Sequence, residues 1–417
     1  MKETKFKNTE IGRIPEDWEI GYFGDVLCTF SAGATPYRGI PDYYNGKINW
    51  ISSGELNYNV IYDTIEHISE EALRNTNLCL HAPGTFLMAI TGLEATGTRG
   101  KCAFVGVPSA TNQSCLAING TNKMDIKYLY WYYRMYGNYL AFKYSQGTKQ
   151  QSFTATIVKN LPITYPKQVI EQHRIASALT SIDNLISSLG KLIEKKKNIK
   201  QGTMQQLLTG KTRLKGFNEP WMEHTIDELF DLGNGYTPSK SNPAYWTNGT
   251  IPWFRMEDIR TNGRILKDSI QHVTPEAVKG NGLYPKYSII LSTTATIGEH
   301  ALLIANSLAN QRFTFLNRKV NRRDMIDIIF FYHYCFILGK WCRDNINAGG
   351  LLAVNMDDLK NHSIYIPKSI AEQQAIAAIL TKMDDEITAL EATKTKYEAI
   401  KQGMMQQLLT GKIRLIS

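Results

Sequence analysis

Two glycine-containing motifs resemble phosphate-binding loops, but neither has the spacing that this chemistry needs. Residues 210–212 read Gly-Lys-Thr, yet Gln205 stands where a phosphate loop requires its first glycine. Residues 233–235 form a single Gly-Asn-Gly, and the Thr-Pro that follows breaks the helix on which a dinucleotide pyrophosphate rests. We therefore predict neither kind of nucleotide site.

The histidines and cysteines show no pattern typical of catalysis or metal binding. His333, Cys335 and Cys342 are close in sequence, but a fourth ligand and the usual zinc spacing are missing. Residues 242–245 read Asn-Pro-Ala-Tyr and lack the second proline of the loop found in amino-methyltransferases. None of the six cysteines forms a CxxC pair, which favours reduced thiols. We predict no catalytic residue and no metal ligand.

Basic and amide side chains in loops rich in small residues are the strongest chemical signal. Arg and Lys bind phosphate, Arg pairs with guanine, and Gln or Asn pairs with adenine in the major groove. Each residue alone is also explained as a solvated charge, but the set favours nucleic acid. The candidates are Arg38, Arg99, Lys101, Lys149, Gln150, Gln151, Lys240, Arg255, Arg260, Arg264 and Arg312.

The charge balance agrees with a polyanionic partner without requiring one. The 417 residues include 47 Lys and Arg against 38 Asp and Glu, a formal net charge of +9. The first residues contain no apolar stretch of the secretory type. The longest apolar run, residues 328–338, is too short to span a bilayer and is predicted to form a core helix. We expect a cytoplasmic protein.

The elements that must position these residues occur twice. KQGTMQQLLTGKTRL at residues 200–214 returns as KQGMMQQLLTGKIRL at residues 401–415, with thirteen of fifteen positions identical at an offset of 201. Solenoids repeat every 20 to 50 residues, so an offset this long indicates the duplication of whole domains. The eight histidines, by contrast, show no recurrence at equivalent positions of the two halves.

Each half contains the same succession of short motifs. A polar segment ends in Trp18 or Trp221, and a small-residue turn then ends in Thr-Pro at residues 35–36 or 237–238. Short β-branched and aromatic runs broken by Gly, Pro and Asn follow, and these predict strands and turns. An Asn-Gln pair also occurs in each half, at residues 112–113 and 310–311.

A long amphipathic helix is predicted to close each half. Apolar residues recur at alternating intervals of four and three, as in the seam of a coiled coil. About forty residues of helix span roughly 60 Å, so we expect the two apolar stripes to bury each other in an antiparallel pair that separates the domains. The seam residues are Ile175, Leu179, Ile182, Ile186, Leu189, Ile193, Ile376, Leu380, Met383, Ile387 and Leu390.

The predicted fold class is α+β, with two mixed globular domains and two long antiparallel helices related by a pseudo-two-fold axis. The boundaries are 1–165 for the first globular domain, 166–214 for the central helical segment, 215–365 for the second globular domain and 366–417 for the last helical segment. The alternative for each helix is an ordinary bundle helix that packs on its own domain.

Four motifs together resemble the specificity subunit of type I restriction-modification systems. They are Gly-x-Ile-Pro-x-x-Trp at residues 12–18, Gly-x-Thr-Pro in both halves, Pro-x-x-x-x-Glu-Gln at residues 166–172 and 367–373, and the QQLLTGK-x-RL endings. The resemblance covers essentially the whole chain. It implies that each globular half is a target recognition domain for one part of a split DNA sequence, and that the helices are a spacer and docking surface.

The resemblance also implies partners that carry the chemistry. These are two modification subunits, which bind S-adenosylmethionine and methylate adenine, and restriction subunits, which use ATP and Mg²⁺ to translocate and cut DNA. No cofactor is then expected on this chain. The base-contacting residues differ among members of the family, so the candidates above depend on residue type and loop context alone, and the Gly-x-Thr-Pro and Asn-Gln positions are interpreted as scaffold.

Two other functions remain open from the residues. A methyltransferase or nuclease acting alone would bind S-adenosylmethionine directly. A pure assembly scaffold would bind all duplexes equally at a fixed salt concentration.

Overall fold

The computed structural model describes residues 5–9, 12–280, 282–347 and 352–416. The chain forms two compact units. Unit 1 comprises residues 1–190 and 392–417, and unit 2 comprises residues 191–391. Each unit therefore contains one part of each of two 39-residue helices, Val169–Leu207 and Ile370–Leu408.

Unit 1 is built from short strands and a few helices. Its strands are β1 (Phe6–Thr9), β2 (Gly12–Pro15), β3 (Trp18–Tyr22), β4 (Cys28–Ala32), β5 (Ile48–Ile51), β6 (Val60–Ile61), β7 (His67–Ile68), β8 (Phe86–Ala89), β9 (Cys102–Val105), β10 (Ser109–Thr111), β11 (Cys115–Asn119) and β12 (Pro162–Pro166). Its helices are α1 (Phe23–Val26), α2 (Glu70–Asn75), α3 (Ile126–Tyr144), α4 (Ala155–Lys159) and the first part of α5 (Val169–Leu207).

Three sheets form the framework of unit 1 besides the β1–β2 pair. The largest has the order β4-β11-β8-β9-β6, the second has the order β10-β5-β7, and β12 pairs with β3. Helix α3 packs its aromatic face on the large sheet, and Tyr128, Trp131 and Tyr133 are fully buried there. The burial of these large rings makes α3 the centre of the unit.

Unit 2 repeats this plan. Its strands are β13 (Trp221–Thr225), β14 (Phe230–Asn234), β15 (Ile251–Phe254), β16 (Ile265–Leu266), β17 (His272–Val273), β18 (Ile289–Ser292), β19 (His300–Leu303), β20 (Leu308–Ala309), β21 (Phe313–Arg318) and β22 (Ser363–Pro367). Its helices are α6 (Ile226–Leu229), α7 (Met256–Asn262), α8 (Ile328–Asp344), α9 (Met356–Asn361) and the first part of α10 (Ile370–Leu408).

The sheets of unit 2 have the order β14-β21-β18-β19-β16, β17-β15-β20 and β13-β22. Every strand of unit 1 from β3 to β12 thus has an equivalent ten strands later. The apolar run at residues 328–338 lies in α8, where Phe330, Phe331 and Leu338 are buried, as its sequence predicts. The prediction of two mixed α/β domains with two long helices is confirmed.

Within each unit the two long helices run antiparallel. In unit 1, Asp183 on α5 accepts a hydrogen bond from Lys401 on α10 at 2.8 Å. In unit 2, Lys196 on α5 donates to Glu386 on α10 at 2.8 Å, and Lys200 donates to Asp384. Ion pairs of this kind flank the apolar contact as they do in coiled coils.

The seam residues differ in how deeply they are buried. Ile175, Leu179, Ile376 and Leu380 are fully buried, and each joins the core of its own unit as well as the partner helix. The buried residues farther along are Ile182, Ile186, Ile193 and Ile387, and the half-buried ones are Leu189, Met383 and Leu390. The helix starts therefore pack on a domain and on a helix at once, which combines the two arrangements expected from the sequence.

Candidate nucleic-acid interface

One edge of the large sheet in unit 1 gathers loops that are far apart in sequence. Strands β4 and β8 end at this edge, and β9 and β11 begin there, because the neighbours are antiparallel. The Gly-x-Thr-Pro turn at residues 33–36, the Asn-Gln turn at residues 112–113 and the loop at residues 90–101 therefore lie at the same edge. We call this surface the loop edge of unit 1.

A further loop, residues 146–152, joins the loop edge of unit 1 through its backbone. The Leu93 amide donates to the Gln151 carbonyl at 3.0 Å, and the Gln151 amide donates to the Glu94 carboxylate at 2.8 Å. Tertiary pairing thus brings the candidates near residue 99 together with those near residue 150.

Unit 2 has an equivalent loop edge, where β14 and β18 end and β19 and β21 begin. The Asn310 amide donates to the Phe254 carbonyl at 3.0 Å, which brings Arg255 to the Asn-Gln turn. Arg264 reaches the same edge because β16 runs parallel to β19. Four of the five candidates in unit 2, Lys240, Arg255, Arg264 and Arg312, therefore share one edge, while Arg260 lies within α7.

Three of the four basic candidates of unit 1 already have side-chain partners within the chain. Arg38 forms an ion pair with Glu66 through both terminal guanidinium nitrogens and lies over the Tyr44 ring at 4.4 Å. The hydrogen bonds that Arg38 donates to Glu66 raise the pKa of Arg38 and lower that of Glu66. These contacts orient the exposed guanidinium over an aromatic ring.

Two further cations of unit 1 hold loops in place. Arg99 donates to the carbonyls of Leu93 and Glu94 at 2.6 and 2.7 Å. Lys101 donates to the Asn57 side chain at 2.8 Å. Lys149 and Gln150 are exposed, whereas Gln151 is half-buried.

The candidates of unit 2 are more evenly divided. Arg264 pairs with Glu299 at 2.6 Å and donates to the His300 carbonyl, and Arg255 pairs with Glu257 at 2.7 Å. Lys240, Arg260 and Arg312 are exposed, and their side chains form no hydrogen bond or ion pair with the described residues. The loop edge of unit 2 thus presents two free cations, Lys240 and Arg312, to a ligand.

Glycine is required where the Gly-x-Thr-Pro turn approaches the Asn-Gln turn. A Cβ atom on Gly33 would lie 1.9 Å from the Thr111 carbonyl oxygen, and one on Gly235 would lie 2.2 Å from that of Asn310. Any larger side chain would force these backbones apart. The two turns therefore form one continuous surface in each unit.

The histidines recur between the units more than the sequence comparison suggested. His67 begins β7, and its ring nitrogen Nε2 is hydrogen-bonded to the Asp63 carboxylate at 2.9 Å. His272 begins the equivalent β17 and forms the same hydrogen bond with Asp268 at 2.6 Å. The prediction that no histidine recurs is therefore wrong for this pair. Insertions shift its offset away from 201, so only the strand register aligns it.

Cysteines and clusters of acidic or imidazole side chains are the remaining candidates for a reactive or metal-binding site. All six cysteines are free thiols, and Cys102, Cys115, Cys335 and Cys342 are buried. Among the described residues, no group of three or more His, Cys, Asp or Glu side chains is arranged to hold a metal ion. Within the same residues no helix is long and apolar enough to cross a membrane.

A known protein family matches both halves of the chain. The family described as "Type I restriction modification DNA specificity domain" matches residues 15–201 and again residues 218–402. This chain belongs to that family. The two matches coincide with the internal duplication, and membership confirms the prediction of a DNA specificity component rather than an enzyme.

Individual relatives agree with this assignment. The specificity subunit of the Escherichia coli type I restriction enzyme EcoprrI is 48% identical over 173 residues, which are 40% of this chain and 43% of that protein. The specificity subunit of the Methanocaldococcus jannaschii type I restriction enzyme MjaIX is 24% identical over 99% of this chain and 97% of that protein. The first likeness covers less than half of the relative, and the second nearly all of it.

The fold is also that of a solved specificity subunit. The crystal structure of the type I restriction-modification S subunit from M. genitalium matches with a TM-score of 0.62 and 16% identity, over 97% of this chain and 98% of that one.

Each specificity domain is tied to its long helix by a buried glutamine. The Gln172 side chain accepts from the Asp125 amide at 2.8 Å and donates to the Lys123 and Pro166 carbonyls at 2.9 Å. Gln373 makes the same three hydrogen bonds in unit 2, to Asp327, Met325 and Pro367. The glutamines thus satisfy backbone groups just before α3 and α8 and at the ends of β12 and β22, which explains the glutamine of the repeated Glu-Gln pair.

The arginine of each QQLLTGK-x-RL ending pairs with the glutamate of the same Glu-Gln motif. Arg414 binds Glu171 through two hydrogen bonds of 2.7 and 2.8 Å and also binds Asp17. Arg213 binds Glu372 through bonds of 2.6 and 2.7 Å. Both glutamates are buried, so these bidentate pairs connect the end of one long helix to the start of the other.

Glutamine and methionine residues of the repeated segment line a groove in each unit. In unit 2, Gln201, Met204 and Gln205 line a groove of about 820 Å³ together with α8. In unit 1, Gln402, Met405 and Gln406 line a groove of about 470 Å³ together with α3. One part of the repeated motif therefore pairs with buried groups of its unit. Another part lines a groove that is open to solvent.

Sequence reasoning missed one contact at each loop edge. Thr35 donates a hydrogen bond to the Gln113 side chain, and Thr237 donates to that of Gln311 at 2.5 Å. The recurrence of Thr-Pro and Asn-Gln in both halves was the available signal. The spacing within the sequence gave no reason to pair them, since about 75 residues separate the partners.

Proposed function

We propose that this specificity protein reads a split DNA sequence through its two loop edges. The observation that carries the proposal is that each unit gathers its loop cations and amides at an equivalent sheet edge. Such a surface suits the contacts that specific DNA binding needs, with cations for phosphate and amides or guanidinium groups for bases. Because the two edges differ in side chains, the two half-sites have different sequences.

The paired long helices act as the spacer between the half-sites and as the docking surface for partner subunits. The grooves lined by the repeated QQLLTGK segment support docking, because an internally repeated, exposed surface fits two copies of one partner. Two modification subunits that bind S-adenosylmethionine and methylate adenine are the partners proposed for these grooves. Restriction subunits that use ATP and Mg²⁺ complete the assembly, which acts on DNA in the cytoplasm.

The test is a comparison of methylation in cells with and without this chain. We expect a split N6-methyladenine motif that disappears when the gene is deleted, with two half-sites about one helical turn apart. Retention of every methylated motif would contradict the proposal. Footprinting of the full complex should show two protected segments, and a single short continuous footprint would exclude a bipartite reading.

Direct binding of S-adenosylmethionine by the isolated chain would instead support an enzyme that acts alone. Equal affinity for all duplexes at one salt concentration would support an assembly scaffold without base readout.

A further inference from the structure

The Thr–Gln hydrogen bond at each loop edge recurs although the side chains around it have diverged. Thr35 and Gln113 are exposed in unit 1, and Gln311 is exposed in unit 2. Arg38 follows the Thr-Pro turn in unit 1, whereas Lys240 follows it in unit 2. The residue after the Gln is Ser114 in one and Arg312 in the other. A surface contact that persists among changed neighbours points to a shared task.

Stability does not account for this hydrogen bond. In unit 2 the turn is already held by the Tyr236 amide, which donates to the Ala309 carbonyl, and by the Trp253 indole, which donates to the Tyr236 carbonyl. In unit 1 the Ala34 amide and the Trp50 indole make the equivalent bonds. An exposed neutral hydrogen bond adds little to such a framework.

The neighbouring asparagine performs the local structural role in each Asn-Gln pair. The Asn112 side chain accepts from the Ser114 amide at 3.0 Å, and the Asn310 side chain accepts from the Arg312 amide at 3.1 Å. These bonds shape the turn without help from the glutamine. The glutamine is therefore available for another function.

The threonine hydroxyl orients the glutamine carboxamide. Because Oε1 of Gln113 and of Gln311 accepts from the threonine, the Nε2 group of each is left as a donor at the surface. Neither Nε2 group forms a hydrogen bond with the described residues. A fixed, solvent-facing donor suits an acceptor on the ligand.

We infer that Gln113 and Gln311 are phosphate-anchoring residues that set the position of each unit on the duplex. Both half-sites share the phosphate backbone but not the bases, so a donor common to two units that read different sequences fits a phosphate oxygen. Phosphate contacts fix register without reading sequence. Base readout then belongs to the variable residues around each Thr–Gln pair. This inference rests on the proposed DNA-binding function.

The test is Gln311→Glu in the full complex with modification subunits, with Gln113→Glu as the equivalent change in unit 1. Glutamate still accepts from Thr237, but it replaces the amide donor by a negative charge that repels phosphate. Binding to the cognate duplex and to a scrambled duplex is measured by fluorescence anisotropy at one salt concentration. We expect about a tenfold to a hundredfold loss on both duplexes, since hydrogen bonds to charged groups contribute the most.

Two controls separate anchoring from other roles. Gln168→Glu, at the exposed position directly before α5, adds the same charge elsewhere and should change affinity by less than about twofold. The melting temperature of Gln311→Glu should stay within about 2 °C of the parent. A large drop in melting temperature would show a structural role and overturn the inference.

The ratio of cognate to scrambled affinity decides between phosphate and base contact. We expect this ratio to stay constant in both variants. A loss confined to the cognate duplex would show base reading, and unchanged affinity for both duplexes would show no contact; either result overturns the inference. If the parent protein binds both duplexes equally, the proposed function itself fails, and this outcome is visible before any variant is compared.

Discussion

The two units share one strand order, yet they hold the basic residues of their loop edges differently. In unit 1, Arg38, Arg99 and Lys101 are bound by Glu66, by backbone carbonyls and by Asn57. In unit 2, Lys240 and Arg312 are exposed and form no ion pair with the described residues. Arg255 and Arg264 at the loop edge of unit 2 are paired, so the same backbone supports mostly held cations in unit 1 and a mixture of held and free cations in unit 2.

The units agree where backbone groups or buried charges must be satisfied. Gln172 and Gln373 make equivalent hydrogen bonds, and so do the arginine–glutamate pairs at the helix ends. A lost partner at such buried positions leaves an unsatisfied group, whereas a changed loop residue is solvated by water. This difference explains why the duplicated sequence diverged at the loop edges and persisted where the long helices join the domains.

Removal of the arginine that pairs with the buried glutamate should have the largest effect on stability. Arg414→Met leaves Glu171 buried without its partner, so we expect a loss of about 3–5 kcal/mol in unit 1. Arg213→Met should cost less in unit 2, because Arg213 is more exposed than Arg414 and Glu372 is its only carboxylate partner among the described residues. Amide hydrogen exchange measures the opening of each unit separately.

The exposed Arg323 provides the matched control for these two variants. Arg323→Met should leave exchange in both units unchanged. Equal, small effects of Arg414→Met and Arg213→Met would show that neither arginine–glutamate pair stabilises its own unit.

The second largest difference between the units should be the loss of stability of unit 2 at acid pH. Burial lowers the pKa of His300 to about 3, with Arg264 contributing, and burial lowers that of His333 to about 3, with Lys200 contributing. Both residues belong to unit 2. An unfolded histidine takes up a proton near pH 6.5, so the stability present above pH 6.5 is lost as the pH falls towards 3. The slope is about 1.4 kcal/mol per pH unit for each histidine.

His300→Phe should remove one of these two contributions. The His300 ring packs against Tyr332 and Phe336, and neither ring nitrogen has a hydrogen-bond partner among the described residues, so phenylalanine fits the site. Hydrogen exchange between pH 7 and pH 5 should show a shallower acid response in unit 2, by about 2 kcal/mol at pH 5. Unit 1 should respond as in the parent. The same acid response in variant and parent would show that protonation of His300 does not contribute to it.

The equivalent aspartates of the long helices should give a smaller difference. Asp183 accepts from both Arg134 and Lys401, and although burial opposes ionisation, these hydrogen bonds lower its pKa. Asp384 accepts from Lys200, and its side chain is more exposed. We expect Asp183→Asn to cost about 1–2 kcal/mol and Asp384→Asn about 0.5–1 kcal/mol in urea unfolding. A larger loss from Asp384→Asn would reverse the comparison.

The smallest effect concerns the loop cations. Arg312→Ala should lower the dependence of DNA affinity on salt by about one phosphate contact. Arg38→Ala should change this dependence less, because Glu66 already neutralises the guanidinium. Titrations at several salt concentrations measure both slopes. Equal slopes for the two variants would show that the ion pair opens when DNA binds.

Several elements were predictable because their signals are local or repeated. The heptad spacing predicted both long helices, and the apolar run at residues 328–338 predicted α8. The candidates at the loop edges were found from residue type and loop context. Their partners were not, since the Arg38–Glu66 pair and the Thr–Gln pairs join residues from different loops. The recurrence of His67 and His272 was also missed, because it follows strand register rather than sequence offset.

The sequence by itself determined the duplication, the two long helices and the family, because a repeated motif and an apolar period are visible in the order of residues alone. Only the tertiary structure decided which cations are free and which are held. Hydrogen bonds and ion pairs act over a few ångströms, and sheet pairing alone sets which distant loops come within that range.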